Sequence, residues 1–178
     1  RRVTAIHKAN VMKRSDGLFL EAVHTVALDF PEVTLDDVLV DAMAAWLVRA
    51  PQRFDVIVAG NLYGDILSDL ASELSGSLGL AGSIMAGDTL CAAQAQHGSA
   101  PDIAGQDMAN PLAWLLSLAM ALRFSFGMEA EAAMIETAAK NVLDGGLRTA
   151  DIMQPGKAKV STTVMGEAIT RELEKQAG

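Results

Sequence analysis

Apolar and polar positions divide the chain into alternating short and long periodic segments. RVTAIH (2–7) is β-rich and predicts a strand. SDGLFLEAVHTVALDF (15–30) predicts an amphipathic helix, with Ser15 or Asp16 as N-cap and Pro31 as the stop. VTLDDVLVDAMAAWLV (33–48) begins strand-like and turns helical, which puts Asp37 near the helix start. DVIVA (55–59) is an unbroken apolar run before Gly60, the pattern of a buried strand in a sheet covered on both faces. After Gly64, the positions Ile66, Leu67, Leu70, Ala71 and Leu74 recur at helical spacing and predict another helix.

Beyond Ser75 the periodicity fades. Glycines at 76, 79, 82, 87, 98 and 105 mark residues 75–107 as loop-rich, the kind of backbone where function is usually carried. Pro111 opens an apolar helix to about residue 126. A second helix spans 129–143 and stops at Asp144-Gly145-Gly146, and a third spans 163–176. Strands alternating with helices predict an α/β fold.

Composition narrows the partners. The 178 residues are 51% hydrophobic, enough for one core or two small ones. A net charge of −8 with no basic face argues against nucleic acid. It still allows an anionic small substrate, because local lysines or a metal can invert the field inside a site. The single cysteine, Cys91, excludes an internal disulfide and a Cys-rich metal site. It fits a reducing compartment, the cytoplasm or the mitochondrial matrix. The apolar run 112–122 is about half the ~20 residues of a membrane span, so a buried helix and no membrane association are expected. Met120, Met128, Met134, Trp46 and Trp114 read as helix packing, His24 as a surface or satisfied buried side chain, and Cys91 as a small hydrophobe.

Three stretches carry candidate chemistry. Asp65 and Asp69 lie one turn apart on one helix face, where like charges repel by roughly a few tenths of a kcal/mol. A solvated surface or a bound cation relieves that repulsion. Such a pair, following a strand of an α/β sheet, suits hard-oxygen coordination of Mg²⁺ or Mn²⁺. Asp41 is a further carboxylate on the preceding helix. Lys8, two residues before Asn10, reads as a solvated charge or, near a metal, as a base. HGSAPDIAG (97–105) reads as a tight surface turn, or as small residues that let the backbone approach a flat ligand while Asp102 accepts from ribose hydroxyls. Neither GxGxxG nor GxxxxGK[ST] occurs.

IHKANVMKRSDGLFLE, DAMAAWLV, FDVIVAGNLYGDILSDLASELSGSLGL, HGSAPDIAG followed by ANP, and GLRTADI occur in that order. Together they strongly resemble the C-terminal half of the β-decarboxylating dehydrogenases, the family of isocitrate, 3-isopropylmalate, homoisocitrate and tartrate dehydrogenases. The resemblance implies the isocitrate/isopropylmalate dehydrogenase-like αβα sandwich, truncated at the N-terminus, as the opening Arg1-Arg2-Val3 without a methionine also leads one to expect. Residues 1–75 would belong to the dimer-forming, metal- and substrate-side domain and 76–178 to the cofactor-binding domain. Asp65 and Asp69 match metal ligands, and Asp41 matches a third, contributed across a dimer interface. Lys8 matches a lysine from the neighbouring subunit that helps deprotonate the substrate hydroxyl, and Asn10 a residue near the nicotinamide. The loop residues His97, Gly98, Ser99, Ala100, Pro101, Asp102 and Ile103 match an adenosine site, with Asp102 to the ribose and Asn110 near the adenine.

The implied activity is NAD- and Mg²⁺- or Mn²⁺-dependent oxidative decarboxylation of a small 2-hydroxy di- or tricarboxylate by a homodimer with shared active sites. The alternative is a non-catalytic nucleotide-binding subunit or an inactive fragment of such an enzyme. NADP-dependent relatives carry Lys-Tyr where Asp102-Ile103 stand here, which favours NAD. Val11 is similar to isopropylmalate enzymes, whereas the KRSDGLF context is similar to isocitrate enzymes. Gln94 stands where many relatives carry Glu, and Met85 where Asn or a small residue is common. The substrate-clamping arginines and the proton-donating tyrosine of the family lie in the half not found here.

Overall fold

The computed structural model describes residues 1–178, the side chain of Ala177 apart. It divides into two units, Arg1–Leu74 and Ser75–Gly178. In the first, β1 (Arg2–His7), β2 (Thr34–Leu39) and β3 (Val56–Ala59) form a parallel sheet of order β2-β1-β3. Helices α1 (Ser15–Ala27), α2 (Val40–Arg49) and α3 (Asn61–Ser75) follow the strands in turn. His7 pairs with Leu39 and Ile6 with Ala59, so the carboxyl ends of all three strands share one edge. Ile6 of the central strand packs with Met43 and Leu47 of α2 and Leu67 of α3 to form the core. The Trp46 ring on α2 lies under the Arg53 guanidinium at 3.9 Å, a cation–π stack.

The first unit corrects several expectations. The N-cap of α1 is Arg14, without a side-chain bond, and Ser15 and Asp16 are already helical. Asp16 instead accepts from the Lys8 backbone, so its carboxylate is not available as a cap. The helix ends at Ala27, ahead of Pro31, and buries no residue. Asp37 lies within β2, because the extended run continues to Leu39. β3 is an edge strand, with Val56 51% and Ile57 37% exposed, so it is not covered on both faces in this chain. On α3, which begins before Gly64, Leu67 is buried while Ile66 and Leu74 are exposed.

In the second unit, residues 75–107 contain an antiparallel hairpin, β4 (Gly82–Ala86) and β5 (Cys91–Ala95), where the sequence reads as loop. Gly87 N–H closes its turn on the Leu90 carbonyl. The hairpin lies so close to α4 (Leu112–Phe124) that a Cβ on Gly82 would meet the Ser117 backbone nitrogen at 2.9 Å. α4 packs with α5 (Glu129–Asp144) and α6 (Thr162–Ala177) around Leu112, Val142, Met165 and Ile169. Only one side of α4 is buried: Trp114, Leu118 and Phe124 are exposed, although 112–122 reads as a buried helix, and so is Met128 at the cap of α5, contrary to the reading of Trp114 and Met128 as helix packing. β6 (Leu147–Arg148) and β7 (Ala158–Lys159) form a short parallel pair. Among the described residues, no helix is long and apolar enough to cross a membrane.

Candidate active site

The shared carboxyl edge of the first sheet gathers one set of candidate groups, as expected for an α/β sheet. Lys8 directly follows β1. Its Nζ contacts Asp41 Oδ1 at 2.5 Å, on the first turn of α2. That bond, with help from the helix backbone N–H groups, holds the Asp41 carboxyl below the usual carboxylate range. The Lys8 backbone N–H donates to Asp16 Oδ2 at 2.6 Å. This bond is the main reason Asp16 is lowered; partial desolvation opposes it, and Ser15 and Tyr63 add to it. Desolvation and the adjacent Asp16 push the Tyr63 phenol up.

His7 fixes the same turn. Its Nδ1 lies 3.1 Å from Ala9 N, and a backbone N–H can only donate. The ring proton therefore sits on Nε2, which faces Asp37 Oδ2 at 3.1 Å. Asn10 is exposed in the turn beyond. Asp65 and Asp69 are both exposed on α3, one turn apart.

The donor chemistry of that pair fits Mg²⁺ or Mn²⁺, which keep several waters and take one or two carboxylates together with substrate oxygens. Among the described residues, no group of three His, Cys, Asp or Glu forms a metal cluster. Asp41, engaged with Lys8, does not join Asp65 and Asp69 within one chain.

The second unit holds a cavity of about 860 Å³, within the range of small-molecule sites. The loop from His97 to Ala100, with Ile103 and Asn110, forms part of its wall, together with Ser77, Gly79, Ala150, Asp151 and Thr162. Pro101 and Asp102 sit on an exposed 3₁₀ turn (Pro101–Ile103), flanked on both sides by lining residues. Ala100 takes up φ 41 ahead of that turn, a left-handed conformation that costs a non-glycine residue and reverses the chain. His97 Nδ1 is 2.9 Å from the Gly98 carbonyl, and Gln106 donates to the Asp102 carbonyl at 2.6 Å, so the loop is held from within. A Cβ on Gly98 would meet nothing within 4 Å, leaving open space beside the backbone for a flat ligand.

The sequence gives no chemical role to Asp107, Asp151, Ser77 or Thr162 in this cavity, nor to His7 and Tyr63 at the sheet edge, and it offers Asp16 only as a helix cap. Asp107 accepts from Thr163 N–H in the first turn of α6 at 2.9 Å, beside the N-cap Ser161, and its carboxyl is held low by Ser161 and Thr163. Asp151 stands in the quoted GLRTADI segment but carried no assigned role. Beside the neighbouring Thr149, two of its partners, Ser77 and Asn110, are distant in sequence, so no local pattern announces them.

The first unit is thus a parallel α/β sheet with an acid–base pair at its strand ends, and the second holds a cavity of small-molecule size. The family model for isocitrate/isopropylmalate dehydrogenase matches residues 1–169, and the chain belongs to that family. It is 54% identical to a 3-isopropylmalate dehydrogenase of Paramagnetospirillum magneticum, covering 98% of this chain and 49% of that protein. It is 51% identical to one from Gluconobacter oxydans over 99% of this chain and 49% of the relative. The crystal structure of isocitrate dehydrogenase from Methylococcus capsulatus superposes with a TM-score of 0.92 at 42% identity, over 97% of this chain and 50% of that one. The chain thus spans about half the length of the relatives it matches.

Proposed function

We propose that this chain contributes to oxidative decarboxylation of a 2-hydroxy acid of the 3-isopropylmalate type, dependent on NAD and on Mg²⁺ or Mn²⁺. The observation that carries the reading is the edge of the first sheet, where Lys8 and Asp41 are paired and α3 presents Asp65 and Asp69. Relatives at 54% and 51% identity that bear the name 3-isopropylmalate dehydrogenase support that substrate over isocitrate.

In this reading Asp65 and Asp69 hold the divalent ion. Asp41 and Lys8 are presented to a neighbouring subunit, which makes the active unit a homodimer. Lys8, kept in place by Asp41 and by the Asp16-anchored turn, takes the proton from the substrate hydroxyl. Asn10 orients the nicotinamide end, and residues 97–103 with Asn110 hold the adenosine end. Asp102 accepts from the ribose hydroxyls and repels a 2′-phosphate, which selects NAD. When bound, the ion and the nicotinamide supply Lewis-acid polarisation of the substrate oxygens and acceptance of the hydride.

The test is NADH formation by the chain with NAD, Mn²⁺ and, separately, 3-isopropylmalate, isocitrate and tartrate. Turnover is expected with 3-isopropylmalate, and Asp69→Ala should lower it on the order of 100-fold while leaving the circular dichroism unchanged. A folded chain without turnover on any of the three refutes the catalytic reading and leaves nucleotide binding alone.

A further inference from the structure

Three of the four buried polar side chains in the second unit, among the described residues, converge on one carboxylate. Asp151 accepts from Ser77 Oγ at 2.5 Å, Asn110 Nδ2 at 3.0 Å and Thr149 Oγ1 at 2.6 Å. Asp151 is itself exposed as a residue, yet all three donors are buried. Two further bonds give the network a direction. Ser77 Oγ accepts the Gly79 N–H at 2.9 Å, so its proton goes to Asp151. Asn110 Oδ1 accepts the buried Leu112 N–H at 3.0 Å, so its amide nitrogen must face Asp151. The packing tolerates no slack: a Cβ on Gly79 would meet Asp151 Oδ2 at 2.6 Å and Asn110 Cβ at 2.8 Å.

The consequence concerns recognition. A carboxamide that can rotate by half a turn exchanges its donor and acceptor ends, and so matches either order of donor and acceptor on a purine edge. Pinned between Asp151 and Leu112, Asn110 offers only its second N–H and its second lone pair, in one fixed order. Adenine and hypoxanthine present opposite orders, a 6-amino donor beside an acceptor nitrogen in one and a 6-oxo acceptor beside an N–H in the other. Asn110, Asp151, Ser77 and Gly79 all line the cavity.

We propose that Asp151 is a positioning residue that sets the base preference of the cavity, locking the Asn110 carboxamide in the orientation that reads a 6-aminopurine. The proposal rests on the reading of the cavity as a nucleotide site.

The experiment is calorimetric titration of the full chain with NAD and with nicotinamide hypoxanthine dinucleotide. The wild-type chain is expected to bind NAD about tenfold more tightly than the hypoxanthine form. In Asp151→Asn the preference should fall to about twofold, because the Leu112 N–H alone then holds Asn110 against turning. A purely structural role would weaken both dinucleotides alike, so an unchanged ratio in a folded Asp151→Asn overturns the proposal. If that variant loses its circular dichroism, Ser77→Ala removes one donor and keeps the carboxylate; a ratio reduced about threefold supports the lock, and an unaltered ratio overturns it. A wild-type chain that binds both dinucleotides equally sinks the proposal alone. One that binds neither sinks the nucleotide reading with it.

Discussion

In Arg1–Leu74 the candidate carboxylates Asp41, Asp65 and Asp69 are exposed, and α1 and β3 carry exposed apolar side chains. In Ser75–Gly178 the cavity is lined by residues that also bond one another, and Leu112 belongs to a three-helix core. The contrast separates two ways of holding a site. Exposed carboxylates such as Asp65 and Asp69 cost the fold little and take their meaning from what binds them. The Asp151 network is part of the fold, so its geometry is set before any ligand arrives.

Three measurements bear on that contrast. The largest effect should come from Leu112→Ala, which empties a site 1% exposed at the centre of the second core and should cost about 2–4 kcal/mol in chemical denaturation. The matched control is Leu18→Ala on α1, 67% exposed, with an expected change within ~0.5 kcal/mol. Similar losses at both positions would mean that the open face of α1 is covered in solution and the contrast is false.

A smaller loss is expected from Gly82→Ala. Its Cβ would press on the Ser117 backbone at 2.9 Å, which cannot yield as a flexible side chain would. About 1–3 kcal/mol is expected, with faster amide exchange in β4 and unchanged exchange in β1. Faster exchange in β1 would show that the units do not respond separately.

The smallest effect is on acid stability. Asp107, Glu136, Asp144, Asp151 and Glu172 of the second unit are all lowered in the fold, the last through Lys175 and Asn141 and Asp144 through Lys140. In Asp151 burial pushes upward, and the bonds from Ser77, Thr149 and Asn110 outweigh it. A carboxyl with a folded pKa below its unfolded value contributes stability above about pH 4, and that contribution is lost as pH falls through the folded value. The first unit has two such groups in Asp16 and Asp41. Denaturation midpoints followed by amide exchange between neutral pH and about pH 3 should therefore fall more steeply for the second unit.

Much of the fold was legible because it is periodic. The strand at 2–7 and the helices near 112, 129 and 163 follow from apolar spacing and from Pro111 and Gly145. The hairpin was not, because CAAQA is too rich in alanine to alternate visibly and its contact with α4 depends on the missing side chain of Gly82. The exposure of Val56 and Ile57 was equally hidden, since an apolar run reads the same whether or not a neighbour covers it. At the candidate site, the i, i+4 spacing was enough to put Asp65 and Asp69 on one helix face. The network of Asp151 was out of reach: Ser77 is 74 residues away and Asn110 is 41, and only folding brings them together.

The chain has two tryptophans, and they fall one in each unit. Trp46 is half-covered beneath the Arg53 guanidinium, whereas Trp114 is 64% open to solvent. A polar quencher therefore reaches the second indole long before the first. The protein thus carries a built-in pair of optical reporters: residual, quencher-resistant emission follows the parallel sheet, and the quenchable fraction follows the helical half, with no label attached.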